Sequence, residues 1–350
     1  QELSGIVRRT YDTYGDASPA MLFENIEDYP GPGPNKLFIG QFRAYSRICM
    51  MLGLDPQETT RRDIGLAIKD RLKENTPPTV TTDAPVHECI DTGDDIDVLK
   101  FPVPWFHDRD GGRYIGTMHA VITKDPDSGW VNLGMYRVMV HGKNELGIYF
   151  RPGRQHIGLH CLKYIERGEP MPVAIAIGID PRMTFVAAGN IPATTSEYDV
   201  AGSLAGHPME VVQARTVDLP VPARAEIVIE GFVDPTADWR TEGPFGEYPG
   251  YYGEVPDPSP VMRVTAVTHR EDPIFQASLE GHPVNETHVI GAMMKAGTLW
   301  NAFEYNGVPG VKDIACLPES SGGHLVVSIK PTVPAHADWV ASVAWSHSAA

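Results

Sequence analysis

The protein has 350 residues, with 29 Lys and Arg against 45 Asp and Glu, so its formal net charge is −16. This acidity argues against a general nucleic-acid-binding protein, which needs a basic surface to neutralise phosphates. At roughly 100–200 residues per domain, the length predicts two domains and part of a third. Hydrophobic residues make up 42% of the chain, enough for a large buried core.

The sequence shows neither a membrane span nor a secretion signal. No run of about 18 apolar residues occurs, and QELSGIVRRTYDTYG lacks the basic start and apolar core of a signal peptide. The four cysteines are far apart and form no CxxC pair: Cys49, Cys89, Cys161 and Cys316. Such spacing is typical of free thiols in a reducing compartment. We therefore expect a cytoplasmic protein that binds neither nucleic acid nor a membrane.

The first hundred residues mix helical and extended patterns. Phe42–Leu54 and Thr60–Lys73 place apolar residues at helical spacing. The chain between Asn75 and Asp110 is rich in Pro, Thr and Asp, and the prolines of FPVPWFHDRDGG forbid regular structure there. We therefore place a domain boundary in this region and predict an N-terminal α/β region over residues 1–112.

Strands predominate from Tyr114 onwards, where β-branched and aromatic residues are frequent. The predicted strands are Thr117–Thr123, Val131–Val140, Val173–Ile179, Met209–Thr216, Ala225–Val233, Val261–Thr268, Ile274–Ser278, Val311–Leu317 and Leu325–Lys330. The predicted helices among them are Ile157–Arg167, Glu197–Leu204, Glu286–Glu304 and Ala335–Trp345. Because strands and helices do not alternate regularly, the pattern predicts an α+β fold with a barrel or sandwich rather than a doubly wound sheet.

The stretch from Gly129 to His160 is cationic in an acidic chain. Its polar and charged side chains lie on two predicted strands and the turn before a helix: Asn132, Arg137, Lys143, Arg151, Arg154 and His156. On a continuous strand, the even-numbered residues from 132 to 136 would share one face and the odd-numbered residues from 133 to 137 the other. Basic groups beside a helix N-terminus suit an anion, most simply a phosphate. A solvated basic turn is the alternative.

A second stretch, EGPFGEYPGYY, carries Glu242 and Glu247 in a segment of glycine, proline and aromatic residues. An irregular backbone of this kind is costly without a function. Rings at Phe245, Tyr248 and Tyr251 would desolvate the carboxylates and raise a carboxyl pKa towards that of a useful general acid. An acidic surface loop is the alternative.

Other signals are weaker or missing. Glu197 opens a predicted helix in TTSEYDVAGSLAG, where a carboxylate in the first turn is usually a cap. The motifs GxxxxGK[ST], GxGxxG after a strand, GxSxG and HExxH do not occur. The sequence therefore lacks the motifs of P-loop, Rossmann, α/β-hydrolase and zincin sites.

Taken in order, several segments resemble the UbiD family of reversible, non-oxidative decarboxylases. They are NLGMYRVMVHGKNELG, RQHIG, SEYDVAGSLAG, AEIVIEG followed by EGPFGEYPGYY, and ETHVIG. The resemblance runs from FENIEDYPG at Phe23 to the helix near Trp345. It implies a central split β-barrel of the flavin-reductase kind that holds the cofactor over residues 113–310. It also implies the start of a C-terminal α/β oligomerisation domain over residues 311–350.

The resemblance implies a prenylated FMN whose phosphate is bound through Mn²⁺ (or Mg²⁺), with K⁺ often beside it. Asn132, His156 and Glu197 match the family's metal ligands, so Glu197 is expected to be a ligand rather than a cap. One imidazole and two oxygen donors suit such a cation. Four further residues match positions beside the flavin, the last of them also beside the substrate: Met135, Tyr136, Arg137 and Gln155.

The family's catalytic network maps to Arg137, Glu242 and Glu247. Arg137 and Glu242 would position and polarise the substrate carboxylate, and Glu247 would donate a proton to the carbon that loses CO₂. The modified flavin would accept the electrons released as the C–C bond breaks. Tyr248 and Ile290 match positions that shape the substrate pocket.

The chain also departs from the family pattern. Family members are usually longer, so we expect this chain to begin after the family's first segment and to stop inside the C-terminal domain. Ser348 stands where some relatives have a lysine that helps to hold the cofactor. One extra residue lies between Arg137 and His156 and another between Glu197 and Glu242, so the flanking loops are expected to differ.

The implied function is decarboxylation of an aromatic, heteroaromatic or α,β-unsaturated carboxylic acid. The implied partners are a flavin prenyltransferase that supplies the cofactor and further copies of the chain, in a homodimer or higher homo-oligomer. Two alternatives stay open. One is a non-catalytic cofactor-binding subunit of a multi-component decarboxylase. The other is an FMN-dependent oxidoreductase, in which the two carboxylates would have no task.

Overall fold

The computed structural model describes residues 2–30, 33–234, 236, 239–253 and 258–347. Ser348 lies outside them. The helices in these residues are α1 (Glu2–Tyr14), α2 (Tyr45–Met51), α3 (Arg61–Arg71), α4 (Gln155–Arg167), α5 (Pro181–Ala187), α6 (Glu197–Ala205), α7 (Glu286–Tyr305) and α8 (His336–Ser346). The strands are β1 (Met21–Phe23), β2 (Lys36–Ile39), β3 (Thr79–Val80), β4 (Cys89–Thr92), β5 (Tyr114–Gly116), β6 (His119–Lys124), β7 (Val131–Gly134), β8 (Val138–Gly142), β9 (Glu145–Ile148), β10 (Met171–Ile177), β11 (Glu210–Gln213), β12 (Pro220–Pro222), β13 (Ile227–Val233), β14 (Trp239–Thr241), β15 (Pro258–His269), β16 (Ile274–Gln276), β17 (Val311–Cys316) and β18 (Leu325–Ile329).

An antiparallel sheet of ten strands forms the centre of the described residues. Eight strands follow the order β5-β8-β9-β15-β13-β10-β6-β7, and β4 and β14 pair with the long strand β15. Strands β10 and β13 are in register from Met171 opposite Val233 to Ile177 opposite Ile227. The sheet curls into half of a barrel, which confirms the predicted α+β fold with a split barrel at its centre.

Strand β10, which has no polar side chain, is covered on both faces. Its Ala174 and Ala176 contact one apolar core, which includes buried residues of α3, α5, α6 and α7. Its valine and isoleucines contact a second core, which includes residues of α1 and α4. Successive side chains of a strand point to opposite faces. Both faces of the sheet are therefore covered, and the small alanines let the helices of the first core approach closely.

All six predicted helices are confirmed, with different bounds. The helix predicted at Phe42–Leu54 spans Tyr45–Met51, and α3 begins after Thr60, whose side chain forms a capping box with Asp63. The prediction missed α1 and α5. Residues 101–112 contain neither helix nor strand, as their prolines require. No helix of the described residues is long and apolar enough to cross a membrane.

The single strand predicted over Val131–Val140 is wrong. It is two strands, β7 and β8, because Met135 N donates to the carbonyl oxygen of Ala187 at 3.0 Å instead of to a neighbouring strand. The carbonyl oxygen of Tyr136 lies 2.9 Å from Nε2 of His119. The alternation of faces expected from 132 to 137 is therefore lost, and all six residues line one cavity.

Candidate active site

The cavity, here called the main cavity, has a volume of about 690 Å³ and is enclosed by segments that are distant in sequence. Its wall includes the last three residues of β7 and the three residues after it, the first residues of α4 and α6, the end of α5, and part of the loop after β14. Its volume falls in the usual range for ligand and cofactor sites. The structure places nine of the predicted site residues on this wall: Asn132, Met135, Tyr136, Arg137, Gln155, His156, Glu197, Glu247 and Tyr248.

Two predicted site residues do not line the main cavity. Glu242 is wholly buried and contacts Arg137, which does line the cavity. Ile290 is also wholly buried, but it packs in the apolar core around α7. The structure describes every residue between 129 and 160, and Arg137 is the one Lys or Arg side chain among them on the wall. The predicted cluster of basic side chains around a phosphate therefore does not form on this wall, because the other Lys and Arg side chains of the stretch do not line it.

Arg137 connects the two carboxylates, and we call these three residues the ionic network. Its Nε donates to Glu242 Oε1 at 2.9 Å, its Nη2 donates to Glu242 Oε2 at 2.5 Å, and its Nη1 donates to Glu247 Oε1. The exposed fraction is 0% for the Glu242 side chain, 13% for Arg137 and 28% for Glu247. Contacts between charged groups are strong in such a poorly solvated site. Since arginine has five N–H donors, these contacts leave two for a ligand.

Aromatic rings hold the network in place. The guanidinium carbon of Arg137 lies 4.0 Å from the ring centre of Tyr149 and 5.2 Å from that of Phe245. Tyr114 donates to Glu242 Oε1 at 2.8 Å, and burial and the nearby Glu242 raise the pKa of its hydroxyl, so that it stays a donor. Neither Tyr149 nor Tyr114 is among the site residues predicted from the sequence. Tyr149 lies within the cationic stretch, whereas Tyr114 is 128 residues from Glu242 and carries no local signal.

The pKa of Glu247 is shifted in the direction expected for a desolvated carboxyl group. Burial raises the pKa of its carboxyl group, the nearby Glu242 raises it further, and Arg137 opposes the rise. The aromatic rings predicted to desolvate the two carboxylates are not all buried. Phe245 is 4% exposed and packs into the site, whereas Tyr251 is 62% exposed, so the prediction that it would desolvate the carboxylates is wrong.

Asn132, His156 and Glu197, here called the donor set, converge at another part of the same wall. His156 Nδ1 lies 3.1 Å from Asn132 Oδ1 and 3.7 Å from Glu197 Oε1. Two ligands at right angles on a hard cation with bonds of about 2.1 Å are about 3 Å apart, so this spacing fits such an ion. Among the described residues, no group of three or more His, Cys, Asp and Glu forms a metal site, and here the third donor is an amide.

The local structure explains why these donors meet. His156 is the second residue of α4 and Glu197 is the first residue of α6, so two of the three donors lie at the start of a helix. Glu197 Oε2 accepts a hydrogen bond from the backbone N of Leu133 at 2.8 Å, which fixes α6 to β7. The edge of Trp130 packs against His156, with ring centres 4.9 Å apart, and holds the imidazole in position.

Sequence comparison decides the family. The profile described as the Rift-related domain of 3-octaprenyl-4-hydroxybenzoate carboxy-lyase matches residues 79–283, and the profile of that enzyme's N-terminal domain matches residues 1–65. The first match alone covers more than half of the chain. This chain belongs to the UbiD family.

Similar UbiD-class proteins include several decarboxylases. The pyrrole-2-carboxylic acid decarboxylase of Pseudomonas aeruginosa is 35% identical over an alignment of 336 residues that covers 94% of this chain and 66% of that protein. This chain thus spans slightly less than two thirds of that relative. An evolved dimeric form of HmfF from Pelotomaculum thermopropionicum, solved with prFMN, has a TM-score of 0.86 and 31% identity, covering 97% of this chain and 76% of its own. The vanillic acid decarboxylase of Sedimentibacter hydroxybenzoicus, in open form, has a TM-score of 0.87 and 28% identity, covering 98% and 71%.

Proposed function

We propose that this UbiD-family chain is a reversible, non-oxidative decarboxylase of an aromatic, heteroaromatic or α,β-unsaturated carboxylic acid and uses prenylated FMN. The observation that carries the proposal is the ionic network, of which Arg137 and Glu247 line the same cavity as the donor set. A relative solved with prFMN and a relative that decarboxylates pyrrole-2-carboxylic acid support it. In such a network the guanidinium can bind the carboxylate of an acid, and a protonated carboxyl group beside it can supply a proton.

The donor set would hold Mn²⁺ or Mg²⁺, which would bind the cofactor phosphate, with K⁺ nearby. The main cavity would then place the flavin against Met135, Tyr136 and Arg137, with Gln155 beside the cofactor or the substrate. When bound, the prenylated flavin accepts the electrons released as the C–C bond breaks. The fit rests on the spacing of the three donors and on their position in the cavity.

The chain's own residues would bind the acid and move the proton. The two free N–H donors of Arg137 bind the substrate carboxylate, while Glu242 and the ring of Tyr149 keep the guanidinium in place. Glu247 then transfers its proton from the carboxyl oxygen to the carbon that has lost CO₂, since burial favours its protonated form. Tyr248, which is 41% exposed, would border the planar substrate at the cavity mouth.

The remaining features of the proposal concern the whole protein. A flavin prenyltransferase would supply the cofactor, and the chain would act in the cytoplasm, in keeping with its four free cysteines. It would assemble as a homodimer or higher homo-oligomer, as the dimeric form of one relative suggests. The proposed division is an N-terminal region to residue 112, the cofactor domain to residue 310, and the start of an oligomerisation domain.

The test is CO₂ release from a panel of such acids after co-expression with a flavin prenyltransferase. Glu247→Gln should lower turnover by about 10²–10⁴-fold, the usual contribution of a general acid. Glu319→Gln, which changes an exposed carboxylate in the same way, is the control. Unchanged turnover in Glu247→Gln would exclude the proton-donor role. Oxidation of NAD(P)H without CO₂ would indicate an oxidoreductase, and bound flavin without any turnover would indicate a cofactor-binding subunit.

A further inference from the structure

Glu280 is a buried carboxyl group that belongs to neither the ionic network nor the donor set. It lies between β16 and α7 and is 8% exposed. Its Oε1 accepts a hydrogen bond from Thr287 Oγ1 at 2.8 Å, and its Oε2 accepts one from Asn285 Nδ2 at 3.3 Å. Both donors are uncharged, so neither neutralises an ionised Glu280. A buried carboxylate with uncharged partners is costly, which favours the protonated form.

The surroundings of Glu280 favour exchange of a proton. Burial raises its pKa to about 7, the hydrogen bond from Thr287 opposes the rise, and the carboxyl groups of Glu286 and Glu247 add to it. The titratable groups that face it are Glu247, Glu286, His107, Tyr11 and Tyr248. A group of this kind can take up and release a proton near neutral pH.

Glu280 also lies between two cavities. A second cavity of about 360 Å³, here called the side cavity, is lined by the N-terminal part of α1, the loop 246–252 and the segment 279–285. Glu247 and Glu280 line both the main cavity and the side cavity. Gly5 of α1 lines the side cavity and is exposed, so this cavity reaches the surface there. The two carboxyl groups therefore form part of the wall that separates the main cavity from a second route to solvent.

A histidine and an aspartate hold the two carboxyl-bearing segments together. His107 Nε2 lies 3.1 Å from the carbonyl oxygen of Glu280, and His107 Nδ1 lies 3.1 Å from Asp110 Oδ2. The other oxygen of Asp110 accepts a hydrogen bond at 2.9 Å from the backbone N of Gly246, next to Glu247. These contacts fix the backbone of one carboxyl group relative to the other, as proton transfer between them requires.

Decarboxylation consumes one proton per turnover, because a carboxylate and a proton give CO₂ and a new C–H bond. Glu247 must therefore be reprotonated after each turnover, when ligands occupy the main cavity. We propose that Glu280 is a proton-relay residue that reprotonates Glu247 from water in the side cavity. The Glu280 carboxyl group passes its proton to the Glu247 carboxylate, and the resulting Glu280 carboxylate takes a proton from water. The inference rests on the proposed function, since it requires Glu247 to act as the acid.

The test compares the first turnover with later ones in Glu280→Gln, which keeps the shape of the side chain but cannot relay a proton. In rapid-quench experiments, the first turnover should keep its wild-type rate, because the relay acts only after Glu247 has given up its proton. Steady-state turnover should fall by about tenfold or more, and a burst of one product per site should appear. Added imidazole buffer at constant pH should restore the steady-state rate of this variant and leave the wild type unchanged.

Two matched glycine variants test the route. A Cβ added at Gly5 or at Gly291 would have no atom of the described residues within 4 Å apart from the adjacent backbone of its own helix, and Gly291 lines neither cavity. Gly5→Leu, which narrows the mouth of the side cavity, should slow steady-state turnover and spare the first turnover. Gly291→Leu, on the exposed side of α7, should change neither.

Three outcomes would overturn the relay. Unchanged steady-state turnover in Glu280→Gln would show that Glu247 is reprotonated by another route. An equal loss in the first and later turnovers, without rescue by imidazole, would assign Glu280 a structural role. Absence of CO₂ release by the wild-type holoenzyme would refute the proposed function and the relay with it, whereas the first two outcomes refute the relay in an active enzyme.

Discussion

The buried contact between Arg137 and Glu242 leads to a quantitative stability prediction. Glu242→Gln removes a negative charge from a wholly buried position but keeps the shape of the side chain and an acceptor for the hydroxyl of Tyr114. The guanidinium of Arg137, which is 13% exposed, is then left with Glu247 as its counter-charge. We expect the free energy of unfolding to fall, because a buried charge has lost its main partner.

An exposed pair of the same type supplies the control. Arg224 Nε donates to Glu210 Oε2 at 2.6 Å, but the two side chains are 53% and 42% exposed. Removing one partner of a buried pair costs about 3–5 kcal/mol, whereas an exposed pair contributes about 0–1 kcal/mol. Since Glu247 still compensates part of the charge of Arg137, the expected cost of Glu242→Gln is about 3 kcal/mol. At about 2–4 °C per kcal/mol, Tm falls by about 6–12 °C for Glu242→Gln and by at most about 4 °C for Glu210→Gln.

Thermal unfolding followed by circular dichroism measures both shifts, and urea denaturation gives the free energies independently. The reasoning depends on burial alone, because the chemical change is the same at the two positions. Equal shifts in Tm for Glu242→Gln and Glu210→Gln would refute it. A shift of less than about 4 °C for Glu242→Gln would place the pair in the range of exposed ion pairs.

Two further predictions concern the pH profile and the metal. Turnover should fall as pH rises through the pKa of Glu247, since the donor must be protonated, and burial should place this fall above the range of an exposed glutamate. Glu242→Gln removes a charge that raises this pKa, so a profile of kcat against pH should move to lower pH, and an unmoved profile would contradict the coupling. His156→Ala should lower Mn²⁺ affinity by more than the roughly 10–100-fold typical of losing an outer-sphere contact. Metal analysis after dialysis measures this, with exposed His207→Ala as the control, and equal Mn²⁺ content would argue against the donor set.

Local sequence signals predicted many of the elements. The prolines of residues 101–112 exclude regular structure, and Thr60 with Asp63 starts α3 through side-chain contacts that need no tertiary partner. Helix α5 had a signal as well, because Asp180 caps it and Pro181 occupies its first position. The prediction missed α5 because the apolar run before it was extended as a strand to residue 179.

The sequence by itself determined which residue types the site contains and which segments carry them, because helix starts, prolines and strand periodicity act over a few residues. Only the tertiary structure decided which of them meet. The hydrogen bond from Met135 N to the carbonyl oxygen of Ala187 in α5 divides the predicted strand in two. As a result, residues predicted to lie on opposite faces of that strand line the same cavity. Tyr114 reaches Glu242 across 128 residues, and Ile290 turns into the core. Such contacts depend on how the sheet curls and how the helices pack on it, which no local pattern of residues encodes.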